Sequence, residues 1–320
     1  MDVTNLTNSQ RTETSSEYVK NIKFVFILII SILIIVNNVI NISVVWKTIQ
    51  LPRITRICLL NLSFSDLLVG LVSCAPCVVP VLIGRWPYGA IWCQIAGIIH
   101  GTSVTISIWS LSLISIDRYL AIIKPLHSRV ILTTKRTFGV LVFLWIVAVL
   151  TFFSPLPTKS DFIYYQYSVY ESMCGLYWEY KWFCVITAVY IPILSGFILV
   201  FTNFKVMRKI VSRKYNETRQ DCLNKSSASS RRSTEIRAVK LLVLASVVYF
   251  ITWGPYVLQV VITSLGDIRT VPHSVRFVTM WLANSNSFTN VFVYSFMYKS
   301  FRRRVKYLIL KLILLLKIRE

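Results

Sequence analysis

Apolar residues gather in seven blocks separated by short polar and basic segments. A helix needs about 20 predominantly apolar residues to cross a bilayer. Blocks of that order lie at Phe24–Trp46, Ile57–Ile83, Ile91–Ile123, Thr137–Leu156, Trp182–Lys209, Ile236–Leu265 and Pro272–Tyr298. The pattern predicts an all-α membrane protein, a bundle of seven transmembrane helices. The seventh block is the least apolar, because it holds Asn284, Ser285, Asn286, Ser287, Thr289 and Asn290. Such side chains are tolerated at membrane depth when they face other helices rather than lipid. Six spans instead of seven would leave both chain ends on one side of the bilayer.

Composition agrees with a membrane protein. The 320 residues are 55% hydrophobic and 15% charged, with mean hydropathy +0.62, whereas soluble domains carry roughly 25% charged residues. A net charge of +22 raises nucleic acid as a partner. The charge sits between the apolar blocks rather than along one soluble face, so the lipid bilayer is the expected partner and nucleic acid is not. Of the 35 Lys and Arg, only Arg11, Lys20, Lys23, Arg85, Lys159, Lys181, Arg269 and Arg276 fall on the side of the N-terminus. The richer side faces the cytoplasm. This predicts a multi-pass protein of the plasma membrane with residues 1–23 outside. The sequon at Asn5 is then open to glycosylation. Those at Asn41, Asn61 and Asn216 fall in helices or on the cytosolic side. No cleavable-signal pattern follows Met1, so the first span is expected to act as its own insertion signal.

The membrane-embedded unit is expected over residues 24–298, with a polar cytosolic loop at 210–235 and a tail at 299–320. The stretch Ser212–Glu235 is Ser-rich and reads as mobile. Ser229, Ser230, Ser233 and Thr234 surround Arg231 and Arg232; a kinase site and a plain solvated linker are equally open readings. The tail alternates basic and apolar residues and is expected to lie along the inner leaflet as an amphipathic helix.

Polar groups in hydrocarbon are costly, so those present are functional candidates. The second span holds Asp66, the third ends in Asp117-Arg118-Tyr119, the sixth holds Trp253-Gly254-Pro255, and the seventh holds Asn286, Ser287, Asn290 and Tyr294. Seven cysteines are present. Cys74 and Cys77 read as packing residues, because no metal-spaced CxxC pair recurs.

These motifs, one per span and in order, resemble the rhodopsin-like (class A) G-protein-coupled receptors along nearly the whole chain. Asp117-Arg118-Tyr119 resembles the DRY triplet, Thr252-Trp253-Gly254-Pro255 the CWxP motif, and Asn290-Val291-Phe292-Val293-Tyr294 the NPxxY motif. Asn38, Trp145, Pro155, Pro192 and Phe301-Arg302 match the first, fourth, fifth and eighth helices of that family. The resemblance implies a Cys93–Cys174 disulfide and a heterotrimeric G protein on the cytoplasmic face. It implies a Na⁺ ion among Asp66, Ser107, Asn286, Ser287 and Asn290; a protonated Asp66 bonded to Asn290 is the alternative. It implies a latch between Arg118 and Glu235 whose release lets helix six swing outward. Two interfacial charges snorkelling to water are the plainer reading. Pro255 removes a backbone hydrogen bond and kinks helix six, with Trp253 beneath the ligand cavity as a lever. Departures from the family pattern are Val291 for the NPxxY proline, Val200 for a helix-five Tyr, Tyr249 for a helix-six Phe beside Ile108 and Pro192, and Asn37 and Asn41 in the first helix.

By the same resemblance the ligand pocket comprises His100, Ser103, Val104, Tyr256, Gln259, Met280 and Asn284. His100 occupies the position where amine receptors carry an Asp. A His does not neutralise an ammonium, so a biogenic amine is disfavoured. The run Trp281-Leu282-Ala283-Asn284-Ser285-Asn286-Ser287-Phe288 looks like a small group of orphan receptors near the amine branch. His100 either contacts a neutral or acidic ligand, reports pH, or makes a structural hydrogen bond.

The segment Lys159–Lys181 is crowded with aromatics, among them Tyr164, Tyr165, Tyr167, Tyr170, Tyr177 and Trp178. It reads equally as a lid packed into the cavity or as a contact surface for a peptide; the extracellular ligand, small molecule or peptide, stays open. An enzyme is not expected: His100, His127 and His273 are the only histidines and lie at different depths, so no zinc site assembles. A secondary transporter is the alternative, weakened by the odd span count and the absence of a visible repeat. A retinal Schiff base has no lysine in the seventh span before Lys299.

Overall fold

The computed structural model describes residues 3–47, 52–154, 163–178, 185–220, 227–265, 271–297, 302–307 and 310. Within them run seven long helices: α1 (Val3–Lys47), α2 (Arg53–Ile83), α3 (Gly89–Ile123), α4 (Thr134–Phe153), α5 (Ile191–Gln220), α6 (Ser227–Leu265) and α7 (His273–Met297). A short helix, Pro125–Ile131, joins α3 to α4. Six segments, all but α7, are long and apolar enough to cross a membrane. The Asn and Ser residues that lower the apolarity of α7 are turned inward: Asn284, Asn286 and Asn290 are all buried. Lipid-facing positions carry the apolar side chains instead, such as Phe143 and Phe197.

Helix ends depart from the apolar blocks. α1 begins at Val3, well ahead of Phe24. Once a helix is nucleated, each further residue adds a hydrogen bond at little cost. The same physics corrects the expected loop at 210–235. α5 continues to Gln220 and α6 starts at Ser227, because the Lys, Arg, Gln and Glu there are good helix formers. Ser229, Ser230, Ser233 and Thr234 therefore sit in the first turns of α6. Residues 302–307 are helical, and most of the expected tail helix lies outside the described residues.

Prolines place the irregular turns. In α2 a π-helical stretch, Val69–Cys74, is followed by a 3₁₀ turn, Ala75–Cys77, that contains Pro76. A proline has no N–H to give to the helix ladder, so the ladder slips locally. A second π turn, Val185–Tyr190, precedes Pro192 at the start of α5. Gly70 lets α1 and α2 touch: a Cβ there would lie 2.8 Å from the Ile34 side chain.

The segment expected as a lid or a peptide-contact surface forms a hairpin. β1 (Ile163–Ser168) pairs antiparallel with β2 (Met173–Trp178), with Tyr165 opposite Leu176 and Tyr167 opposite Cys174. Aromatic residues suit a pleated surface. Ser172 in the connecting turn has φ 56°.

The two largest apolar clusters divide the bundle between its ends. One, nearer Arg118, contains Leu59, Leu62, Ile108, Leu111, Leu199, Tyr249 and Trp253. The other, at the hairpin end, contains Ile27, Ile34, Val69, Cys74, Cys77, Met280 and Trp281, with Met173 of the hairpin inside it.

Candidate functional site

Mid-membrane, α2, α3 and α7 converge on Asp66, which is 0% exposed. Asn290 Nδ2 donates to Asp66 Oδ2 at 2.8 Å, and Ser107 and Ser287 turn their hydroxyls toward the same carboxylate. Even so, Asp66 Oδ1 and Ser107 Oγ are buried without a partner at hydrogen-bond geometry. Asn286 leans away, accepting from Thr252 Oγ1 of α6 at 3.4 Å. One carboxylate among neutral hydroxyl and amide oxygens is a hard-oxygen donor set. Among the described residues no group of three or more His, Cys, Asp or Glu gathers; the set around Asp66 carries a single carboxylate. Asn38 ties α1 into the site, donating from Nδ2 to the carbonyls of Ile34 and Ser287, each at 2.8 Å.

At the far end of α3, Arg118 pairs with Asp117 at 2.6 Å. Thr55 of α2 completes the group: its hydroxyl donates to Asp117 Oδ2 at 2.7 Å and accepts from Arg118. Tyr119 meets Phe201 of α5 with ring centroids 6.2 Å apart. The side chains of Glu235 and Tyr294, and that of Asn5, lie outside the described residues, so the expected Arg118–Glu235 latch does too. Trp253 in α6 stands between Tyr249 and Tyr256, at 6.5 Å and 5.9 Å, two residues before Pro255.

At the hairpin end, the residues expected to form a ligand pocket are largely engaged with one another. His100 and Asn284 meet at 2.8 Å. Gln259 accepts from Thr279. Met280 packs in one cluster with Met173, and Val104 and Tyr256 pack against it. Ser103 is buried with no partner for its hydroxyl.

The hairpin seals this level. Its Cys174 is bonded to Cys93 of α3, and Met173 is 0% exposed. Tyr165 lies where a Cβ on Gly97 would fall, 2.3 Å from its ring, and its hydroxyl donates to the Phe152 carbonyl at 2.6 Å. Burial pushes the Tyr165 and Tyr167 phenols up, so both remain neutral. The turn is clasped to α7: Glu171 pairs with Arg276 at 3.1 Å, Trp281 Nε1 donates to the Glu171 carbonyl at 2.8 Å, and Tyr170 stacks on His273 at 3.9 Å.

Sequence reasoning did not identify Thr55, Met173, Glu171, Arg276 or Thr279 as members of these groups. Met173 had one signal, its place beside Cys174, since a residue next to a bridge into α3 is drawn toward the bundle. Thr55, one hydroxyl at the start of a helix, had none.

The chain is 25% identical over 289 residues to "Rhodopsin, GQ-coupled" of Mizuhopecten yessoensis, covering 87% of this chain and 57% of that protein. It thus spans little more than half the length of that relative. It is 23% identical to neuropeptide FF receptor 2 of Mus musculus, covering 86% of this chain and 69% of that protein. It is 28% identical to probable G-protein coupled receptor 21 of Mus musculus, covering 90% of this chain and 85% of that protein. Among solved structures, squid rhodopsin has a TM-score of 0.77 at 23% identity, covering 91% of this chain and 85% of that one, a likeness of fold. Residues 37–294 match the model of the 7 transmembrane receptor (rhodopsin family), and the chain belongs to that family.

Proposed function

We propose that this receptor lies in the plasma membrane with its N-terminus and hairpin outside, and that it drives a heterotrimeric G protein by an outward swing of α6. In this reading residues 24–298 form the receptor unit and Asn5 carries a glycan. Asp66, Ser107, Asn286, Ser287 and Asn290 serve a Na⁺ ion that favours the resting state. The ion would neutralise the buried carboxylate while the chain's own hydroxyls and amides orient it. Arg118 is the switch residue, held at rest by Asp117 and Thr55.

The signal is supplied by the hairpin itself. The observation that carries this is Met173, fully buried at the level of Met280 and Asn284, where a diffusible ligand would need space. A continuous packed path leads down from it: Met173 shares a cluster that Tyr256 packs against, Tyr256 contacts Trp253, and Trp253 contacts Tyr249. A packed column of this kind biases a two-state bundle, because cores repack between discrete arrangements. His100 acts as the hydrogen-bond partner of Asn284, which removes it as an anchor for an ammonium. With no lysine in α7, a retinal Schiff base does not form.

A second reading is a peptide docking on the hairpin turn, favoured by the exposed Val169 and Tyr170 and by the similarity to a neuropeptide receptor. The test is Arg118→Ala at matched surface expression, read as nucleotide exchange on a panel of heterotrimeric G proteins. Loss of basal exchange is expected. Unchanged exchange would overturn the reading and leave a polytopic protein without G-protein coupling.

A further inference from the structure

We infer that two buried hydrogen bonds between α5 and α6 act as a brake on α6, with Tyr249 and Ser246 as positioning residues that hold the resting bundle. The inference rests on the proposed swing of α6. Tyr249 is 1% exposed, and its hydroxyl donates to the Pro192 carbonyl of α5 at 2.7 Å. One turn nearer the Arg118 end, Asn203 Nδ2 of α5 donates to Ser246 Oγ of α6 at 2.6 Å. Between them the helices come close: a Cβ on Gly196 would lie 3.1 Å from the Phe250 ring and 3.6 Å from that of Tyr249.

Both bonds lie on the Arg118 side of Pro255. If α6 pivots at that proline, the rise of about 1.5 Å per residue puts Tyr249 about 9 Å and Ser246 about 14 Å from the hinge. A rotation of about 10° then moves them by about 1.5 Å and about 2.4 Å. N–H···O and O–H···O bonds fail beyond a few tenths of an ångström of stretch, so both break early in the swing. The freed Tyr249 hydroxyl and Asn203 amide remain in a water-poor seam, where an unmet polar group is costly. The two bonds therefore weigh against the open arrangement. A phenylalanine at position 249 would fill the same space with no such restraint. The chain thus has a restraint on the closed bundle at this seam.

The experiment is a distance measurement on the full chain in lipid nanodiscs, by electron–electron resonance between spin labels at Val130 and Leu244. Tyr249→Phe and Ser246→Ala are each compared with the parent, with thermal midpoints recorded. Each variant is expected to raise the long-distance population roughly two- to tenfold, and the double variant to exceed both. Ser246→Ala keeps the test open if Tyr249→Phe fails to fold. Distance distributions identical to the parent in folded variants would overturn the brake. Longer distances with no nucleotide exchange on any G protein would support the brake and sink the G-protein reading instead.

Discussion

At the hairpin end of the bundle polar side chains pair across elements, His100 with Asn284, Gln259 with Thr279, and Glu171 with Arg276, with the Ser103 hydroxyl and Arg276 Nε left over. Deeper in, the Ser107 hydroxyl, Asp66 Oδ1 and Trp253 Nε1 are buried without a partner at hydrogen-bond geometry. Buried polar groups are normally paired, and an unpaired one is a cost that a fold avoids unless water, an ion or a second conformation meets it. The difference is that the cap joins its polar groups across elements, whereas the middle leaves a carboxylate oxygen and an indole N–H unmet. The hairpin end is a cap, stapled by a disulfide and clasped to α7. The middle is a polar column around Asp66, and the path Met173–Tyr256–Trp253–Tyr249 joins the two.

The largest expected effect comes from removing the staple. The Cys93–Cys174 bridge closes a loop with a sequence separation of 81, for which loop-closure entropy suggests about 4 kcal/mol. Cys174→Ser should abolish most surface expression and lower the thermal midpoint sharply. An unaltered midpoint would mean that the cap is held by packing alone, and the contrast between the two regions would blur. A middle-sized effect is expected at Asp66. Replacing choline chloride with NaCl should raise the midpoint of the parent by a few degrees, about 1 kcal/mol of ion binding, and Asp66→Asn should erase that salt difference. A variant that keeps it would place the ion elsewhere or nowhere. The smallest effect belongs to the clasp. The Glu171 and Arg276 side chains are 18% and 15% exposed, and an ion pair so near water is worth at most about 1 kcal/mol. Glu171→Gln should speed amide exchange in the hairpin, residues 163–178, and leave α2 and α3 unchanged. Faster exchange throughout would show that cap and core are one cooperative unit.

Much of this was legible in the amino-acid pattern, for physical reasons that differ by region. The spans follow from hydropathy, since lipid admits little else. α7 is the instructive case: its Asn and Ser residues hide it from a hydropathy criterion, yet they mark it as the helix that faces the others. Asp66 and Arg118 announce themselves because charges are rare at membrane depth. Helix ends were not legible, because Lys, Arg and Gln beyond the bilayer suit helix and loop alike, as residues 210–220 and 227–235 show. The hairpin was invisible for a related reason. Ile163–Ser168 is short and aromatic, and only its partner strand, fixed by Cys174, makes it a strand. Thr55 and Thr279 depend on where two helices happen to meet, which no local pattern encodes.

Basal nucleotide exchange by the purified full chain in nanodiscs, with no added ligand, tests the joining of cap and core most directly. The parent is compared with a variant in which Tyr165 and Met173 are both alanine, at equal folded fraction, across a panel of heterotrimeric G proteins. The expected result is measurable exchange by the parent that falls to background in the variant. Equal exchange by the two proteins, or a parent that stays silent until a ligand is supplied, would contradict a signal carried by the hairpin.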